Sequence, residues 1–182
     1  MFGRESLGCL PFVLLLVLVP YGAYRGIEHS RIMNLAPADL DVSGIIYSKE
    51  ESYGLLGPGV NETGLIVYSL PEQVAQKITE QGVEFFNQVG RRFGSQTSHA
   101  AWLETPFVPD EKWTVANTKP SPPPKIADFL EKYGHGITLD PSVEEMVNEA
   151  ISTPGSFYSY AQEVGLVIVV PRARKAIFTY AG

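Results

Sequence analysis

VGLVIVV (164–170), PRARK (171–175) and AIFTYA (176–181) close the chain, and the reading of these residues decides the fold. Two runs rich in β-branched and aromatic residues flank a short polar insert, which predicts a β-hairpin, although PRARK lacks the Asn-Gly type of tight turn. A run as apolar as Gly165–Val170 belongs in the middle of a sheet, where both of its faces are buried.

Working outward, GLIVYS (64–69) is a second strong strand and VSGIIYS (42–48) a shorter one. The residues between them, Lys49 to Thr63, include the glycine-rich stretch SYGLLGPGVNET, so these two strands form a hairpin with a long connection. Ser69-Leu70-Pro71-Glu72 reads as a capping box with Ser69 as N-cap. Val74, Ala75, Ile78, Gly82, Val83, Phe86 and Val89 then recur at helical spacing, and Gly90 is the expected stop. Residues Arg91 to Pro124 carry both tryptophans, Trp102 and Trp113, and show no sustained period. A short helix around Ser98–Leu103 and a short strand around Trp113–Val115 fit this stretch. Ser121-Pro122-Pro123-Pro124 is a stiff lead into a helix over Ile126–Tyr133. Asp140-Pro141 opens a further helix, whose Val143, Met146, Val147, Ala150 and Ile151 form one apolar stripe before Pro154-Gly155. The pattern predicts an α+β domain: a mainly antiparallel sheet of about four strands, with three helices packed on one face.

Ahead of this domain, Leu7 to Tyr24 (LGCLPFVLLLVLVPYGAY) holds no charge and is bracketed by Arg4-Glu5 and Arg25. As a helix rising about 1.5 Å per residue it would span roughly 27 Å, close to the thickness of a hydrocarbon core. The rival is a cleaved signal peptide. Cuts after Ala23 or Gly26 would place Tyr21 or Tyr24 at the position that requires a small residue. Cys9 precedes the apolar run rather than following it, which argues against lipidation. The expected organisation is a transmembrane signal-anchor over 1–26, a stalk or lead-in over 27–40, and one extracytoplasmic α+β domain over 41–182, contacting the membrane through residues 7–24. Basic residues near the two ends of the span are close to a tie. The extreme N-terminal position and the lack of cysteine beyond the anchor favour an envelope location, periplasmic or at the cell surface.

The chain of 182 residues has a net charge of −6, 45% hydrophobic residues and a single cysteine. Without Arg4, Glu5 and Arg25 the remainder holds 12 basic against 19 acidic residues. An acidic chain with no basic block is a poor nucleic-acid binder, and one cysteine builds neither a disulfide framework nor a cysteine-zinc site.

Among chemistry-bearing residues, His29, His99 and His135 lack a second ligand at metal-binding spacing, so neither metal nor cofactor is expected. His99 lies near Ser95 and Ser98, the weak candidates for a hydrolytic pair, yet no G-x-S-x-G elbow frames them. Gly57-Pro58-Gly59 lacks the spacing of a phosphate loop. Glu144, Glu145 and Glu149 belong to a solvated helix face. Asn61-Glu62-Thr63 matches a glycosylation sequon. Candidate binding residues are Trp102 and Trp113, in an aromatic-rich region, and the basic cluster Arg172, Arg174 and Lys175.

These readings lead to a membrane-anchored, non-enzymatic protein-binding or scaffolding module whose partner is another protein. The alternatives are an envelope serine/histidine hydrolase, and a small-ligand or glycan-binding domain that uses Trp102, Trp113, Tyr158 and Tyr160 for stacking.

Overall fold

A computed structural model of the chain describes residues 9–37, 40–52, 62–89, 101–110, 113, 123–161 and 165–182, with side chains described from Leu18 onward, Val89 excepted. The chain divides into two compact units, Met1–Leu35 and Ala36–Gly182.

The first unit contains one long helix, α1 (Cys9–Met33), with Pro20 inside it. It continues through residues that the sequence reading assigned to a lead-in, and Arg31 closes its last turn with an ion pair to Glu28 at 2.8 Å. Among the described residues no helix is long and apolar enough to cross a membrane. The expected anchor runs over 7–24, and of these Leu7, Gly8 and the side chains of 9–17 lie outside the described residues.

The second unit is α+β. Its strands are β1 (Gly44–Ser52), β2 (Glu62–Ser69), β3 (Leu103–Glu104), β4 (Phe157–Ala161), β5 (Gly165–Val170) and β6 (Lys175–Ala181). They form one six-stranded sheet in the order β1-β2-β6-β5-β4-β3, with every pairing antiparallel. The expected count of about four strands is therefore too low. The added strands are β3, which is only two residues long, and β4, whose sequence FYSYA mixes buried rings with hydroxyls. The C-terminal hairpin forms as expected. A 3-10 turn over Pro171–Ala173, with Arg174 left-handed at φ 51°, takes the place of a tight two-residue turn. β6 then lies between β5 and β2, with Ile177 facing Ile168 on one side and Val67 on the other.

The helices number five among the described residues: α1, then α2 (Glu72–Gln81), α3 (Val83–Val89), α4 (Ile126–Leu130) and α5 (Pro141–Ser152). The single helix expected after Ser69 is two, because Gly82 sits at φ +59° and breaks the run. Ser69 does not cap it. Strand pairing with Gly44 and Lys175 holds Ser69 in the sheet, and Pro71 takes the N-cap position. α5 opens at Asp140-Pro141 as expected. The short helix predicted around 98–103 is not found over its described part, where Leu103 enters β3.

The helices cover both faces of the sheet, not one. Leu65, Val67, Leu166, Ile168, Ile177 and Tyr158 share a core with Ile126, Phe129 and Leu130 of α4 and Val147, Ala150 and Ile151 of α5. On the opposite face Ile66, Tyr68, Val167, Val169 and Phe157 are also buried. There the Phe157 ring meets Phe86 of α3 at 5.5 Å between centroids.

Candidate functional site

The residues after β3 are pinned before they present a side chain. Thr105, buried, donates its hydroxyl to the carbonyls of Thr153 (2.6 Å) and Ser156 (3.1 Å), and the Phe107 N–H donates to the Ile151 carbonyl at 2.7 Å. The segment is thereby fixed to the end of α5 and the start of β4. The Phe107 ring then becomes the centre of an aromatic group, with Trp113 at 4.3 Å, Tyr158 at 4.5 Å and Tyr160 at 6.3 Å. Three residues further on, Asp110 accepts a 2.6 Å hydrogen bond from the Tyr160 hydroxyl.

Charge and burial act together here. Burial, the hydrogen bond to Asp110 and the charge of that carboxylate all hold the Tyr160 phenol well above the ordinary tyrosine range. Tyr158 is raised as well, mainly by burial. Lys132, just after α4, is nine-tenths buried, with its ammonium 4.2 Å above the Phe129 ring and 5.0 Å from the Tyr133 ring. Burial lowers it to about 8, against the pull of Asp110 toward the charged form. The arrangement can hold a proton on Tyr160 while Lys132 titrates in the mildly alkaline range. It is a polar seam along an aromatic core. The sequence showed Tyr158 and Tyr160 as aromatics only; Asp110 and Lys132 carried no local signal, since they come together only through the fold.

A second feature lies at the end of α5. A cleft of about 260 Å3 is lined by Met146, Ala150, Val170 and Pro154, with Glu149, Thr153, Ser156 and Arg172 as its polar groups. Gly155, at φ +96°, lies beneath the Arg172 guanidinium: a Cβ there would stand 3.6 Å from Cζ. This places one predicted binding residue, Arg172, at a concave surface that also holds a carboxylate.

The other residues named from the sequence separate. Trp113 is fully buried between Phe107 and Phe129. Trp102 stacks on Phe86 at 3.9 Å, on the opposite side of the sheet from Tyr158. Trp102 and Trp113 thus do not share a platform, whereas Trp113, Tyr158 and Tyr160 gather around Phe107. Arg174 pairs with Glu72 at 3.2 Å on the surface, and Lys175 begins β6. Ser95, Ser98 and His99 lie outside the described residues, as do residues 53–61 of the long connection.

Among the described residues no group of three or more His, Cys, Asp and Glu side chains could hold a metal ion. Compared with known proteins, the chain matches no family model, no curated protein and no solved structure.

Proposed function

We propose that the chain is a membrane-anchored, non-enzymatic protein-binding or scaffolding module whose folded unit lies on the extracytoplasmic side. The observation that carries this reading is the unshielded apolar character of α1. Leu18, Val19, Tyr21, Tyr24 and Ile27 are between 58% and 71% exposed, and the first four of them belong to the uncharged run that begins at Leu7. Single exposed apolar residues are ordinary, but a continuous helical set joined to such a run fits a lipid environment. Tyr21, Tyr24 and Arg25 follow the aliphatic run Val13–Val19, as residues at the membrane–water boundary do. The folded unit supplies the binding part: a sheet with helices on both faces.

Membrane flotation tests the anchor. The full chain mixed with neutral liposomes, washed in alkaline carbonate and centrifuged in a density gradient is expected to rise with the lipid, and a chain lacking residues 1–26 to stay at the bottom. Full chain that stays at the bottom overturns the anchor.

A small-ligand role is the second reading, favoured by the cleft beside Arg172. Its polar groups are of both signs, Arg172 and Glu149, beside the apolar Met146, Ala150 and Val170, a combination suited to a compact zwitterion. A rise in thermal midpoint with an amino acid, abolished in Arg172→Ala, would support it.

A further inference from the structure

The cleft at the end of α5 is walled by the last turns of that helix, the link from it to β4, and the turn between β5 and β6. Ser156 lines it and is only 4% exposed. The backbone of this residue is fully engaged: its N–H donates to the Thr105 hydroxyl, and its carbonyl accepts from the Thr105 N–H and hydroxyl. The Ser156 hydroxyl, by contrast, forms no hydrogen bond among the described residues, and it is not an enclosed atom. What it meets is the cleft. Polar groups buried to this degree are nearly always hydrogen-bonded, so a hydroxyl left without a partner at a concave surface marks the place of a guest's acceptor.

Two opposite charges line the same cleft without meeting. Among the described residues neither the Glu149 carboxylate nor the Arg172 guanidinium enters an ion pair or a hydrogen bond, although their attraction would favour one. The guanidinium is placed over Gly155, where a Cβ would stand 3.6 Å from Cζ, and Arg172 itself is fixed in the 3-10 turn. Glu149 stands near the end of α5, whose last turn holds no basic residue, so the negative end of the helix dipole adds to its carboxylate. One side of the cleft therefore seeks a cation. The other seeks an anion: the guanidinium can grip a carboxylate through two N–H groups, and the Ser156 hydroxyl offers a third donor. We infer that the cleft takes a free α-amino acid with an aliphatic side chain. Its carboxylate lies on Arg172 and the Ser156 hydroxyl, its ammonium on Glu149, and its side chain against Met146, Ala150 and Val170. The volume of about 260 Å3 falls below the about 300–1,000 Å3 of clefts that hold drug-sized molecules, which suits one residue rather than a peptide. A peptide nitrogen would also bring no charge to Glu149. This names the ligand class within the small-ligand reading of the cleft, and rests on it.

The test is isothermal titration calorimetry of the full chain in detergent micelles with leucine, N-acetyl-leucine, isoamylamine and aspartate. Leucine is expected to bind about tenfold or more tightly than each of the others, which lack in turn the ammonium, the carboxylate and the apolar side chain. Ser156→Ala is expected to weaken leucine about tenfold, as loss of a hydrogen bond to a charged group does. Glu149→Gln should weaken leucine and leave N-acetyl-leucine unchanged, a difference that a merely structural role would not produce. Circular dichroism confirms that both variants are folded. Absence of leucine binding, N-acetyl-leucine or aspartate binding as tightly as leucine, or Ser156→Ala binding leucine as wild type does, overturns the inference. In each of these cases a rise in thermal midpoint with some other amino acid, abolished in Arg172→Ala, would leave the small-ligand reading standing, whereas no rise with any amino acid overturns both.

Discussion

Gly64 lies beneath the ring of Tyr180, and a methyl group there would stand 2.7 Å from the ring carbon Cζ. The ring crosses Gly64 because its hydroxyl reaches Glu50 one strand further on. Gly64→Ala is thus expected to displace Tyr180 and lower stability by about 1–3 kcal/mol, the usual range for overpacking. Gly44→Ala, where nothing lies within 4 Å, should change little; urea denaturation of both variants checks the contrast. Lys132 gives a pH signature. Its folded-state value near 8 lies below the unfolded value of 10.5, so between these limits the unfolded chain binds more protons and stability rises with pH. Above about 10 the raised values of Tyr158 and Tyr160 reverse the trend, since the unfolded phenols ionise first. Lys132→Met removes the rise between pH 8 and 10 and keeps the fall above it. Denaturation midpoints measured from pH 7 to 11 would show this, and an unchanged rise in the variant would contradict it.

At the scale of elements, β2, β5 and β6 were legible because each is a run of β-branched and aromatic residues long enough to carry its own signal. α5 was legible from Asp140-Pro141 and its apolar stripe. β4 was not: FYSYA mixes rings with hydroxyls and gives no clean alternation, so its tyrosines entered only as an alternative stacking surface and not as a strand. β3 had no local signal, since two residues become a strand only where Thr105 fastens the segment to the end of α5. The break at Gly82 was hidden because a glycine fits a helical stripe as readily as it ends one. Strand order lay beyond local patterns altogether. The last strand inserts between β2 and β5, so β6 holds together the hairpin β1–β2 and the set β3–β4–β5. Removing Ala176–Gly182 should accordingly abolish cooperative unfolding of the whole second unit rather than fray one end. A truncated chain that kept a single sharp thermal transition near the wild-type midpoint would contradict this role for β6.

For the molecule as a whole, composition and hydropathy separate an uncharged N-terminal run that ends at Tyr24 from an acidic remainder, whereas the structure divides the chain after Leu35, just past the end of the long helix. The candidate site was less legible. The sequence offered Trp102, Trp113 and the basic residues Arg172, Arg174 and Lys175, and of these Arg172 lines the described cleft. The Asp110–Tyr160 bond and the Lys132 amine gather from segments that are distant in sequence, so no spacing reveals them. In the proposed function, the helix holds the chain in a bilayer and the folded unit meets its partner outside the cytosol. Protease accessibility in cells expressing the full chain tests that claim most directly, with a tag placed after Gly182. When the outer barrier is opened and the inner membrane left intact, the account predicts that added protease removes the tagged unit. A tagged unit that stays protected until the inner membrane is dissolved would contradict it.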